Sequence, residues 1–220
     1  MSGNGQVKPL VATKGSDYEL PPEEPSMAVC VWVIDLGTSE NIYGNLSRQV
    51  LIGWELVDEL MQDGRPFLQS KFYTLSLNEK ANLRKDLEAW RNKPFTKEEE
   101  EGFALRNLLG AWCNLGIAHE QKNGKTRAKI TSISGLTKSQ KERVKNIKVH
   151  NDLLYFDFAD YMQEVYERIP EWVRKIINRS VEWQHIEMAG ASDEWNGDEP
   201  DGSENYDPET PEIDDDEIPF

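Results

Sequence analysis

Charge segregation constrains this chain more than any other feature. From Glu187 to Phe220 there are 14 acidic residues and no Lys or Arg. Removing them from the chain's 40 acids leaves 26 acids against 25 bases in residues 1–186, a net of −1 where the whole chain carries −15. A segment so charged cannot bury enough apolar surface to offset its conformational entropy, so residues 187–220 are expected to be a disordered acidic tail. Any core must come from the first 186 residues, which hold most of the seven Trp, seven Tyr and seven Phe. A second asymmetry is opposite in sign. Residues 121–148 contain Lys122, Lys125, Arg127, Lys129, Lys138, Lys141, Arg143, Lys145 and Lys148 against the single acid Glu142, a net of +8 (9 − 1). A local positive stretch of this size suits a polyanion, whatever the sign of the whole chain.

The hydrophobic period assigns the elements. Residues 1–26, closed by Pro21, Pro22 and Pro25, read as a flexible arm. Met27–Asp35 is β-branched and aromatic, a strand apolar on both faces; Ser47–Leu56 and Ser70–Leu75 are further strands. The loops between them are Gly37–Asn45 and Met61–Pro66. The period then becomes helical. Ser76 with Glu79, and Thr96 with Glu99, have capping-box spacing, which predicts helices over 78–92 and 97–109. Strand patterning returns at Trp112–His119 and Arg127–Ile133, joined through Lys122-Asn123-Gly124-Lys125, a strong hairpin signal. Residues 137–150 read as a basic loop or short helix. Leu153–Arg168 and the run beginning at Pro170 read as two helices that pack on the sheet.

Three strands, a helical segment and a two-strand hairpin make the chain mainly β with helical additions. This order fits a five-stranded oligonucleotide/oligosaccharide-binding (OB) barrel over 27–136, with a helical insert between strands 3 and 4 and two C-terminal helices within 137–186. A plain antiparallel sheet with helices on one side is the rival.

Most catalytic signatures are missing from the sequence. Gly124-Lys125-Thr126 would need a Gly at position 119 to be a phosphate loop, and His119 stands there. His119, His150 and His185 lie at no metal-ligand spacing, so neither metal nor cofactor is expected. No nucleophile elbow or dinucleotide fingerprint occurs, and the chain is read as a non-enzyme. Cys30 and Cys113 are expected to be reduced, buried hydrophobes. No run of 18 apolar residues exists, and Met1–Gly5 lacks an export pattern, which together predict a cytoplasmic protein with no membrane partner.

The segment Asp214-Asp215-Asp216-Glu217-Ile218-Pro219-Phe220 joins acids to a ring and a carboxylate, a combination that fits an apolar pocket rimmed by Arg or Lys. It resembles the acidic C-terminal tip of bacterial single-stranded DNA-binding proteins. Asp214, Asp215, Asp216, Ile218, Pro219 and Phe220 match, and Glu217 is an extra acid. In that family the tip recruits replication, recombination and repair proteins and competes with DNA for the basic groove. The body is different, and the linker is acidic where the bacterial one is rich in Gly, Pro and Gln. Leu46–Leu56, Tyr73-Thr-Leu-Ser-Leu77, Leu83-Arg-Lys-Asp-Leu-Glu-Ala-Trp90 and Lys129-Ile-Thr-Ser-Ile-Ser134 resemble a family of bacteriophage replication modules. That resemblance implies an OB-type protein that coats single strands in the bacterial host cytoplasm during phage replication or recombination.

Single-strand binding needs backbone cations and base-stacking rings. On an OB barrel these would be Tyr43 in the first loop, Arg48 and Trp54 on the second strand, Lys71 and Tyr73 on the third, and Lys122, Lys125, Arg127 and Lys129 on the last hairpin. Trp54 shares its phase with Val50 and Ile52, so a core role competes; Tyr73 shares a face with Lys71. Trp32 and Trp90 are expected to be packing residues, and Trp112 is undecided. Other readings of the tail are sequestration of host proteins, mimicry of DNA, or a strand-annealing protein. Homo-oligomer formation is compatible with the sequence.

Overall fold

The computed structural model describes residues 19–40, 44–122 and 124–193. Tyr43, Asn123 and the tip at 214–220 lie outside them, as do residues 1–18 of the expected arm. Residues 19–25 are anchored: the Glu19 carboxylate accepts from the Gln62 N–H at 3.0 Å, and the Pro21 carbonyl lies 2.7 Å from His119 Nε2.

The strands are β1 (Ser26–Glu40), β2 (Leu46–Leu60), β3 (Pro66–Thr74), β4 (Trp112–Lys122), β5 (Lys125–Ser134) and a short β6 (Leu154–Phe156). They form one sheet in the order β3-β2-β1-β4-β5, antiparallel throughout, with β6 added parallel to β1. Its outer strands, β3 and β5, approach within 8 Å between Cα atoms. No ladder joins them among the described residues, so the sheet is curled but not closed.

β1 is apolar on both faces because it separates two cores. Val31 is the extra residue of a bulge between Cys30 and Trp32, and the bulge reverses the phase of the strand. Ala28 and Cys30 before it, and Val33 after it, enter an inner core with Val50, Ile52 and Trp54. Ile34 and Leu36 enter a second core on the outer face. Both cysteines are buried and unpaired, and burial raises the Cys30 thiol pKa.

The inner core is plugged by α1 (Asn82–Arg91), whose Leu83, Leu87 and Trp90 are buried. Trp90 lies 5.8 Å from Trp54 between ring centroids and donates its Nε1–H to the Trp112 carbonyl at 2.8 Å. The Ser76–Glu79 box does not cap this helix. Its N-cap is Ala81, and the Ser76 hydroxyl accepts from the Asn78 N–H in a preceding turn. The Thr96–Glu99 box does form, over the short α2 (Lys97–Glu101); the chain then extends through Gly102 into a 3-10 turn at Leu105–Leu108. Within 137–150 the short-helix alternative is realised as α3 (Lys138–Val144), capped by Thr137 and Gln140.

The expected helix over 153–168 is corrected. β6, a 3-10 turn at Phe158–Asp160 and α4 (Gln163–Arg168) occupy it. β4 pairs with β1 only along Ser26–Val29, so the edge at Trp32–Ile34 is open and Leu154–Phe156 takes its hydrogen bonds. The run after Pro170 forms α5 (Glu171–Ile177) and α6 (Val181–Asp193), which corrects the expected tail boundary: residues 187–193 continue the helix. With α4 they bury Tyr166, Ile169, Val173, Ile177 and Trp183 over Ile34, Leu36 and Leu51; Trp32 packs at the margin, as expected.

A clasp holds α6 to the end of β1. Glu182 accepts the Thr38 N–H at 2.6 Å and the Thr38 hydroxyl at 2.7 Å. Gly37 permits the approach: its φ is +76°, and a Cβ there would lie 2.5 Å from Ser180 Cβ. Left-handed backbone and overlap act together. Gly37→Ala is therefore expected to cost about 3 kcal/mol, with faster amide exchange in α6. Equal urea midpoints for variant and parent would refute this.

Candidate nucleic-acid interface

The sheet phase decides the fate of the residues expected to touch a single strand. On β2 the even positions point inward. Trp54 is completely buried, so its expected stacking role is corrected to a core one. On β3 the odd positions point inward, and Tyr73 is only 3% exposed. Burial, with Asp86 adding to it, raises its phenol pKa; the hydroxyl donates to Asp86 at 2.8 Å. Tyr73 is thus also corrected from stacker to core. Lys71 shares its face, as the spacing required, but pairs with the same Asp86 oxygen at 2.7 Å and ties β3 to α1.

Arg48 is engaged as well. Its guanidinium hydrogen-bonds Asp35, with Asp157 3.6 Å away, and the bond to Asp35 is the main reason its pKa is raised. The outer face of β1 and β2, where an OB barrel would receive its ligand, is roofed by α4–α6. At its margin Phe72 of β3 meets Trp172 of α5 edge-on, with centroids 6.4 Å apart.

The hairpin cations fare differently. Lys122 and Lys125 face each other across the register at the hairpin end, and both are exposed. Arg127 lies opposite Glu120 and is half-buried; Lys129 is exposed and pairs with Glu120 at 2.7 Å. Beside this hairpin the structure places α3, which sequence reasoning left without a position. Asn114 of β4 and Gln140 of α3 exchange hydrogen bonds of 3.2 and 2.7 Å. Arg143 of α3 reaches Asp58 at the end of β2 at 2.9 Å. The signal for α3 was in the sequence: Thr137-x-x-Gln140 is itself a capping box.

The outward phase of β4 reads Trp112, Asn114, Gly116, Ala118, each half-exposed, while Cys113, Leu115 and Ile117 are buried between them. The small residues make a shallow floor with hairpin cations toward one end. At Gly116 a Cβ would sit 2.4 Å from Ser132 Oγ. Lys125, Lys138 and Lys141 around this floor, and Lys148 in the chain after α3, have no ion-pair partner among the described residues.

At its Trp112 end the floor opens into a cleft of about 780 Å³. Its walls come from the end of α1, the 3-10 turn, the start of β4 and α3. From Trp112 to Lys122 is ten strand steps, roughly 33 Å at about 3.3 Å per residue.

No group of side chains able to hold a metal ion occurs among the described residues. No helix among them is long and apolar enough to cross a membrane. No family model matches the chain, and no curated protein matches it.

Proposed function

We propose that this protein binds single-stranded DNA without sequence preference and without catalysis, along the outward face of β4–β5 and α3. The observation that carries the reading is that the basic hairpin and α3 share one strand face. α3 stands at the Asn114 end of the exposed floor and the hairpin cations toward its other end, and four lysines of the +8 stretch are unneutralised among the described residues. Cations spaced along a floor bind phosphates, and phosphate contacts do not read base identity.

The finer fold reading is part of the same proposal. The order β3-β2-β1-β4-β5, with a helix between the third and fourth strands, is that of an OB barrel opened between its third and fifth strands. We further propose that the acidic segment recruits replication or recombination proteins through Ile218, Pro219 and Phe220, in a phage context. Its charge would also compete with DNA for the basic face.

The test is intrinsic Trp fluorescence during titration with an oligo-dT of about 30 nucleotides and with a matched duplex. Full-length protein is compared with a chain ending at Asp193, which keeps α6 whole. The expected result is quenching by the single strand alone, tighter without the tail at low salt. Equal affinity of the two chains would remove the competition. No response from either would remove DNA binding and favour sequestration of proteins by the tail.

A further inference from the structure

Trp112 differs from the buried tryptophans Trp54, Trp90 and Trp183. Trp54 meets Trp90 in a tilted contact, Trp90 also bonds the Trp112 carbonyl, and Trp183 stacks on Tyr166 at 4.4 Å. The Trp112 indole is half-exposed and makes no ring contact or hydrogen bond with any described residue. It lines the cleft at the end of the basic floor. An indole left partly in water beside an open cleft is an apolar face with unused stacking capacity and a free N–H donor.

We propose that this cleft is a nucleobase pocket, in which one base of the bound strand leaves the floor and stacks on Trp112. The inference rests on the single-strand reading above and adds where a base, rather than the backbone, is held. Three properties of the cleft fit that occupant. Its size, about 780 Å³, lies within the range of small-molecule sites. Leu136 and Trp112 supply apolar surface, while Asn92 and Asn107 offer amides that can both donate and accept. Cations stand at the walls: Lys141 has no acidic partner among the described residues, while Arg91, held over the Phe95 and Phe103 rings at 4.6 and 5.0 Å, is already paired with Glu99. Lys141 belongs to both the cleft and the basic face, so a strand on the floor enters the cleft without leaving positive potential. Amides that accept either polarity favour no single base, in keeping with sequence-independent binding.

The test uses the full chain and two probes, oligo-dT and an abasic deoxyribose-phosphate oligomer of equal length. Trp112→Ala is expected to weaken oligo-dT binding about tenfold, the scale of one lost stacking contact, and to leave the abasic oligomer within about twofold. Trp112→Phe should retain most of the affinity but show a smaller fluorescence quench. Ser134→Leu, at an exposed position lining the cleft, should repeat the selective loss with Trp112 intact. Unchanged oligo-dT affinity in both Trp112→Ala and Ser134→Leu would overturn the pocket while leaving single-strand binding standing. Equal loss for both probes would also overturn it, since the cleft would then act on the backbone. Failure of the parent protein to bind oligo-dT would remove the underlying reading, and the pocket with it.

Discussion

Changing Lys125, Lys138 and Lys141 together to glutamate is expected to weaken oligo-dT binding on the order of a hundredfold at low salt. The same substitution should reduce the slope of log affinity against log salt by about 2, since each phosphate contact on a single strand contributes roughly 0.7. All three side chains are exposed, and none has an acidic partner among the described residues, so their removal orphans no buried charge. The fold should therefore survive, with surface substitutions of this kind costing within about 0.5 kcal/mol each. The matched control is Lys80→Glu, Lys175→Glu and Arg179→Glu, which alters net charge equally. Lys80 borders a different cleft, beside Phe72, while Lys175 lies on α5 and Arg179 just after it. The control should change affinity only a fewfold. If both triples weaken binding alike, attraction is diffuse and the β4–β5 and α3 face is not the binding track. Salt titrations of both variants against the parent decide it.

Glu55→Ala, away from that face, is expected to lower stability by about 2–4 kcal/mol. Glu55 sits on the outward phase of β2 and is completely buried. Its carboxylate accepts the His150 N–H at 2.9 Å, the Asn151 N–H at 2.7 Å and the Asn151 side-chain amide at 2.8 Å, with His150 Nδ1 at 3.2 Å. One carboxylate thus holds the turn that delivers the chain from α3 to β6. Alanine would leave two backbone donors without acceptors, at roughly 1–3 kcal/mol each when water cannot replace them. Gln would keep one acceptor oxygen and should lose about half as much. Amide exchange at residues 150–157 should accelerate in both variants, ahead of the inner strands. A urea midpoint for Glu55→Ala indistinguishable from the parent would show that the turn is held by packing alone. The ion pairs of the molecule are mostly on its surface, where each contributes about 0–1 kcal/mol, so none is expected to rival this cluster.

Several parts of the structure were legible in the sequence because their causes are local. The phase of Val50, Ile52 and Trp54 is a period-2 pattern, and it forces Trp54 inward with the others. The register of β4 and β5 runs to Lys122↔Lys125, and Gly124 has the positive φ, +75°, that the hairpin signal demands at its glycine. Thr96–Glu99 is a capping box in fact as in spacing. Ser76–Glu79 has the same spacing and does not cap, because the helix begins a turn later, at Asn82. Local rules propose helix starts; packing of Leu83, Leu87 and Trp90 against the sheet selects among them.

Other features had no local cause to read. Leu154-Tyr155-Phe156 reads equally as helix or strand, and becomes strand because the edge of β1 beyond Val29 has no partner in β4. Tyr73 shares a face with Lys71 by spacing alone, but that this face turns inward against Asp86 depends on where α1 sits. The +8 charge of residues 121–148 is a property of composition. Its gathering into one face depends on Asn114 and Gln140 meeting across 26 positions of chain. The free ring of Trp112 likewise follows from α3 and the end of α1 standing apart at the start of β4. By itself the sequence determined the strand phases, the hairpin, two working capping boxes and the segregation of charge, all set by side chains within a few residues of one another. The tertiary structure alone decided which inward faces close into core, which edge β6 completes and which cations share a surface, because those depend on contacts between segments that no local period encodes.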